Sequence, residues 1–154
     1  LSRVFTDLIQ PAGSNVTSHN QNSRHLFHAL QKLLWKDVGV LRDTEKLQRA
    51  LNEVRRFREE LFPSIRPKQG TVFNSSLMDW LDLRNSLLCA EAICLAASER
   101  KESRGAHQME DIPFKSDEFT KNQIIASHNG HLVSSWKAVQ KLDFDLKEKS
   151  LAVV

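Results

Sequence analysis

The sequence predicts a mainly α-helical fold, a bundle of about three helices with a long central helix, followed by a loop and a small C-terminal β-hairpin. Two segments carry apolar residues at spacings of three and four, the period of one helix face. A third segment is apolar nearly all round, as in a helix at the centre of a bundle. With 154 residues, 40% of them hydrophobic, the chain is long enough for one hydrophobic core but short for two.

Three regions are predicted along the chain, with the folded domain at residues 24–138. Residues 1–23 are predicted to be an N-terminal segment and linker, because most residues from 11 onward prefer turns or solvent. Residues 139–154 are predicted to be a charged, weakly held tail. The chain starts at Leu1 rather than at a methionine, so we expect it to be part of a longer protein.

The first two helices are predicted from their apolar stripes and their end signals. The first covers about residues 26–39, and the second begins after Asp43, whose side chain can cap it. Pro63 is predicted to end the second helix, because proline cannot continue the helical hydrogen bonding. The predicted core residues are Leu26, Phe27, Leu30, Leu33, Leu34 and Val38 in the first helix and Leu47, Ala50, Leu51, Val54, Phe57 and Leu61 in the second.

The third helix is predicted to be the longest, from a cap at residues 74–76 to about Arg100. Its first half is amphipathic, with Leu81 and Leu88 among its core positions. Residues 87–97 are apolar nearly all round and should form the most buried element of the bundle. Cys89 and Cys94 lie in this stretch and are predicted to pack as small apolar side chains rather than to carry redox chemistry.

A β-hairpin is predicted near the C-terminus. Asn129 and Gly130 stand between two short apolar segments, residues 122–126 and 132–136. Such a pair is a strong short-range signal for a two-residue hairpin turn.

Composition argues against several function classes. The 22 Lys and Arg residues, against 19 Asp and Glu, leave a net charge of only +3. The basic residues, Arg55 and Arg58 among them, alternate with acids as on a solvated helix face, so no nucleic-acid binding is expected. No apolar stretch approaches the roughly 20 residues that a membrane span needs. The five glycines form no phosphate-binding loop, so no cofactor is expected in this chain.

Two histidine pairs are candidate metal ligands. His25 and His28 are three residues apart on a helix, and His128 and His131 flank the predicted hairpin turn. Neither pair has a thiol or carboxylate cluster to complete a site, so both are predicted to be polar surface residues.

The chemically dense part of the chain is the loop that follows the third helix. Two acids, an arginine and an imidazole occur where the chain must turn, and glycine permits positive φ there. The residues alone allow a functional-site loop or a structural network, and the last carbonyls of a helix, which need partners, favour the structural network. The predicted structural or interface residues are Arg100, Glu102, Ser103, Arg104, Gly105, His107 and Asp111, and no catalytic, cofactor or metal residue is predicted.

This loop resembles a known signature. Arg100, residues 102–107, Asp111 and Pro113 are similar to the "R-x-E-S-R-G-A-H, then D-x-P" motif in the C-terminal domain of succinate dehydrogenase and fumarate reductase flavoprotein subunits. Residues 30–40, followed by Arg42, look like that family's "L-Q-x-x-M-W-x-x-V-G-V-x-R" segment, and the similarity covers about residues 24–138. Two departures are Leu34, where Met is common, and Met109, where many members carry Arg.

The resemblance implies a parent flavoprotein that binds FAD in another domain and whose catalytic residues lie outside this chain. The implied role is to support the flavin-binding and capping domains and to dock partner subunits, including an iron-sulfur subunit. The implied location is the cytoplasmic or mitochondrial matrix side, peripheral to a membrane through those partners. L-aspartate oxidases share the domain, although their loop usually has Leu where this chain has Ala106. A free-standing helical interaction module is the remaining alternative.

Overall fold

A computed structural model describes residues 22–68 and 73–140. It confirms three main helices and a C-terminal hairpin. Most of the predicted linker and nearly all of the predicted tail lie outside the described residues. The elements are α1 (Ser23–Asp37), β1 (Leu41–Arg42), α2 (Thr44–Arg56), α3 (Ser75–Glu99), β2 (Gln108–Met109), β3 (Lys121–His128) and β4 (His131–Ala138).

The second helix begins as predicted and ends less sharply. Asp43 caps α2, and its carboxylate accepts a hydrogen bond of 2.7 Å from the backbone N–H of Lys46. Beyond α2 the chain continues through a π-helical turn (Phe57–Leu61) and a 3-10 turn (Phe62–Ser64). Pro63 therefore lies inside a helical turn, because a 3-10 segment this short accepts proline near its first position.

The core lies between α3 and the two shorter helices. Asn74 caps α3, since its side chain accepts from the N–H of Leu77 at 3.0 Å. The buried side of α3 contacts α1, α2 and the hairpin. The core side chains contributed by the helices are Leu26, Leu30, Val38, Leu47, Ala50, Leu51, Val54, Trp80, Leu83, Leu87, Ala90, Cys94, Leu95 and Ala97.

The expectation that residues 87–97 are buried all round is wrong. Leu88 and Ile93 are 46% and 50% exposed, and Cys89 is exposed as well, so of the two cysteines only Cys94 packs in the core. Among residues 22–68 and 73–140, the neighbouring elements cover a single side of α3 and leave Leu88, Cys89 and Ile93 open to solvent. The structure contradicts the expected core position of Leu88 for the same reason.

The hairpin forms where predicted, with Lys121 opposite Ala138 and His128 opposite His131. Asn129 and Gly130 both have positive φ, 50° and 82°, as a tight two-residue turn requires. A second, short sheet was not predicted. It pairs β1 and β2 in parallel and brings the loop after α3 against the connection between α1 and α2. None of the helices within residues 22–140 that the structure describes is long and apolar enough to cross a membrane.

Candidate functional site

Glu102 is the centre of the loop that follows α3. Its side chain is completely enclosed, and its Oε1 accepts from Arg100 Nη1 at 2.6 Å and from Arg104 Nε at 2.9 Å. Oε2 accepts from the backbone N–H of Ser116 at 3.0 Å. The hydrogen bond from Arg104, with those from Ser116 and Arg100, lowers the pKa of Glu102 to about 2. The carboxylate is therefore ionised and fully partnered.

Arg100 joins this loop to the hairpin. Its guanidinium donates to the backbone carbonyls of Phe119 at 3.1 Å and Lys121 at 3.3 Å. It also lies over the ring of Trp136, 4.9 Å from the centroid, in a cation–π contact. One arginine thus connects the end of α3, the buried Glu102 and both strands of the hairpin.

A tight turn places Arg104 and His107 side by side. Their backbones exchange two hydrogen bonds, from Arg104 N to His107 O at 2.8 Å and from His107 N to Arg104 O at 3.1 Å. Gly105, the first residue between them, has φ of 59°, a conformation that most other residues avoid. The glycine is needed here for its backbone, because a Cβ at this position would meet no atom within 4 Å.

His107 is held as a neutral imidazole by two neighbours. A carbonyl can only accept, so Nε2–H donates to the backbone oxygen of Arg100 at 3.0 Å. Nδ1 then accepts from Arg42 Nη1 at 2.8 Å. Burial, together with the positive charges of Arg42 and Arg100, lowers the pKa of His107. Both ring nitrogens are occupied, so this histidine is poorly placed for general acid or base catalysis.

Ser103 closes the loop on itself, and Asp111 attaches the loop to the start of α2. The Ser103 hydroxyl donates to the carbonyl of Ile112 at 2.8 Å and accepts from the N–H of Met109 at 2.8 Å. Asp111 accepts a hydrogen bond of 3.1 Å from the backbone N–H of Thr44. This N–H is in the first turn of α2, where backbone N–H groups have no partner within the helix. Met109 is 2% exposed and belongs to the core, which accounts for an apolar residue at this position.

Ser103 bonds to other residues of the same loop and Asp111 bonds to Thr44. Hydrogen bonds join Arg100, Glu102, Arg104 and His107 into one network around the Gly105 turn. Sequence reasoning missed its distant member Arg42, which also donates to the carbonyl of Gly39 at the end of α1, at 2.8 Å. In the sequence, Arg42 stood out only as part of the motif shared with the flavoprotein family. Its partner His107 is 65 positions away, and no local pattern could have linked the two.

A second buried carboxylate, Glu91, was also missed. It is 2% exposed within α3, and Arg55 donates to its Oε1 at 3.2 Å. Arg58 Nη1 lies 2.8 Å from Oε2, but that oxygen accepts no hydrogen bond from the described residues, so the contact is one of charge. The side chains of Arg55 and Arg58 remain 39% and 20% exposed, but their head groups also face a buried acid, which the alternating charges did not indicate.

The histidine pairs do not assemble a metal site in the part of the chain that the structure describes. His25 and His28 are exposed on α1, and His128 faces His131 across the hairpin. Within residues 22–68 and 73–140, no three His, Cys, Asp or Glu side chains stand close enough to share a metal ion.

The free energy of unfolding is expected to fall between about pH 5 and pH 2 as Glu102 becomes protonated. Its pKa is about 2 in the folded chain against an ordinary value of 4.5, so the folded state binds fewer protons. The stabilisation is present above the unfolded pKa and is lost as the pH falls through the folded one. Chemical denaturation of wild type and E102Q should give a stability difference that shrinks toward pH 2. A difference that is constant with pH would contradict this.

The charged groups of Arg100, Glu102, Arg104 and Asp111 are thus bound to one another or to backbone atoms. A family model described as fumarate reductase flavoprotein C-term matches residues 27–151. The 8-methylmenaquinol:fumarate reductase flavoprotein subunit of Wolinella succinogenes is 33% identical over 118 residues, which are 75% of this chain and 19% of that protein. An L-aspartate oxidase of Yersinia pestis is 37% identical over 90 residues, 58% of this chain and 16% of that one. This chain therefore spans about a fifth of the length of such relatives.

Solved structures share the fold. Mycobacterium smegmatis Sdh1 in complex with UQ1 superimposes with a TM-score of 0.81 at 23% identity, over 97% of this chain and 26% of that chain. An E. coli quinol fumarate reductase gives a TM-score of 0.77 at 23% identity, over 92% of this chain and 24% of that chain. At these identities the likeness concerns architecture alone.

Proposed function

Since the chain belongs to the fumarate reductase flavoprotein C-terminal family, we propose that it is the non-catalytic C-terminal domain of an FAD-dependent succinate dehydrogenase or fumarate reductase flavoprotein. In this role it supports the flavin-binding and capping domains and docks partner subunits, including an iron-sulfur subunit. The assembly is peripheral to a membrane, on its cytoplasmic or mitochondrial matrix side, through those partners.

The observation that carries this proposal is the open apolar side of α3. Met78, Cys89 and Ile93 lie along it at helical spacing, with the exposed Asp82 and Asn85 between Met78 and Cys89. We call Met78, Cys89 and Ile93 the outer face of α3. Met78 and Ile93 are 58% and 50% exposed. Residues 87–97 of α3 are apolar nearly all round, and such a segment is normally buried all round, so cover for Cys89 and Ile93 is expected from another domain or subunit.

A second apolar patch supports a further docking partner. Trp35, Val40 and Leu41 are 88%, 68% and 63% exposed at the end of α1 and in β1. Parallel strands normally lie inside a protein, yet the β1–β2 pair has Leu41 open to solvent. Two separate apolar surfaces fit a domain placed between a flavin domain and another subunit.

The contacts of the loop residues support a structural and interfacial role for them rather than a catalytic one. Glu102 is fully enclosed, and both nitrogens of His107 are occupied. The described glycines with positive φ, Gly105 and Gly130, lie in tight turns and form no cradle for a dinucleotide. The residues present do not fit FAD, so we place the flavin in the remainder of the longer protein.

The purified chain is expected to bind no flavin. The measurement is the absorbance spectrum, with flavin extraction, after incubation with excess FAD and gel filtration. The longer protein, treated in the same way, serves as the control and should retain FAD. Stoichiometric flavin held by this chain alone would overturn the proposal.

A parent L-aspartate oxidase is the second candidate, favoured by the 37% identity to the enzyme of Yersinia pestis. The two parents differ in substrate and in whether they need an iron-sulfur partner. Assays of the longer protein with succinate and with L-aspartate separate them. Activity with L-aspartate and none with succinate would contradict the leading proposal and support an L-aspartate oxidase parent.

A further inference from the structure

We propose that the shallow depression beside the Arg104 turn is a carboxylate-binding site. The depression has a volume of about 340 Å³ and opens to solvent between the loop after α3 and the start of β3. It is separate from the outer face of α3, and its function does not depend on the nature of the parent protein.

The charges around the depression do not cancel. Arg100, Arg104 and Lys121 line it, whereas the only carboxylate bound to them among the described residues is the enclosed Glu102. His107 also lines it but is neutral, because a carbonyl and Arg42 fix its protonation. The exposed Asp117 acts on Arg104 through charge without contacting it. Three cations facing one buried acid leave a positive local potential that favours an anionic ligand.

The polar atoms that remain available are donors. Arg104 uses Nε for Glu102 and Nη2 for the carbonyl of Ser116 and the hydroxyl of Thr120, at 3.2 and 3.3 Å. Its Nη1 donates to no atom of the described residues. The oxygen of Thr120 accepts from Arg104, so its proton remains for another acceptor. Lys121 forms no ion pair within the described part of the chain. A ligand must therefore supply acceptors.

The shape and rigidity of the site favour a carboxylate on an organic group. Arg104 is fixed by the bond to Glu102 and by the Gly105 turn, so little side-chain freedom is lost on binding. A guanidinium edge matches the two oxygens of a planar carboxylate. Phe119 and Val139 form an apolar rim that would contact the carbon part of the ligand. The carboxylate can belong to a small molecule or to an acidic side chain of another protein.

Titration of the isotopically labelled chain by NMR tests this site. The probes are sodium acetate and a blocked Ala-Leu-Glu-Ala peptide, each compared with sodium chloride at equal ionic strength. We expect saturable shifts at Arg104 Nε–H and at the amides of Thr120 and Lys121, with dissociation constants of about 1–50 mM, as for a few solvated charge contacts. Saturation by acetate would identify a small-molecule site, and saturation by the peptide alone a protein partner.

Two variants separate the site from general charge effects. Lys121→Gln should weaken binding about two- to fivefold, the range for a solvated charge pair, and Thr120→Val should weaken it as well. Lys137→Gln is the matched control, because position 137 lies on the next strand opposite Asn122 and so on the other face of the hairpin. Equal shifts with chloride, a lack of saturation, or unchanged binding by K121Q would overturn the proposal.

Discussion

Glu102→Gln is expected to lower the free energy of unfolding by about 2–4 kcal/mol at pH 7, because it removes the charge from a buried ion-pair network. The amide keeps the shape of the side chain but has one acceptor oxygen, and its NH2 group would face donors. Arg100 and Arg104 remain 19% and 38% exposed, so water compensates part of the loss. Urea denaturation followed by circular dichroism measures the change.

The matched control for this variant is Glu118→Gln, which removes an exposed acid from the same loop. Its effect should stay within about 0.5 kcal/mol, as for most surface substitutions. If E102Q and E118Q unfold at the same urea concentration, Glu102 does not hold the loop as its contacts imply.

Leu87→Ala is expected to cost about 3–5 kcal/mol of unfolding free energy, the range for leucines whose removal leaves a cavity in a closed core. Leu87 has no exposed surface and lies where α3 meets the other helices. Thermal and urea denaturation of the variant provide the measurement.

Leu88→Ala is the control within the same helix. Leu88 is 46% exposed, so its truncation should cost about 1 kcal/mol or less, since about half of the side chain is already hydrated. Equal destabilisation by L87A and L88A would mean that the open side of α3 is covered within this chain, contrary to the structure.

The parts of the fold that could be predicted depend on local signals. Asp43 caps α2 through a bond to a residue three positions away, and Asn129-Gly130 forms a turn through its own backbone preferences. The helix periods predicted the core of α1 and α2 well because each has a single apolar stripe. Residues 87–97 of α3 have no such contrast, so their sequence could not indicate which side the other elements leave uncovered.

The candidate site was predicted in its composition but not in its connections. The identities of the loop residues pointed to a network at the end of α3, and Arg100, Glu102, Arg104 and His107 form hydrogen bonds with one another there. Arg42, Ser116 and Thr120 were missed because they reach the network from other segments, up to 65 positions away in sequence. The β1–β2 pair escaped prediction because two-residue strands carry no pattern.

The outer face of α3 is the centre of the proposed function, and Cys89 is a probe within it. Cys89 is exposed in this chain, whereas Cys94 on the opposite side of the helix is completely buried and serves as an internal control. The most direct measurement is the rate at which a maleimide labels Cys89, detected by peptide mass spectrometry, in the isolated chain and in the longer flavoprotein.

If the flavin-containing part of that protein covers the outer face, labelling of Cys89 should slow at least about tenfold in the longer protein, which corresponds to roughly 1.4 kcal/mol of protection. Cys94 should remain unlabelled in both. Equal labelling of Cys89 in the two proteins, with both shown to be folded, would contradict the account.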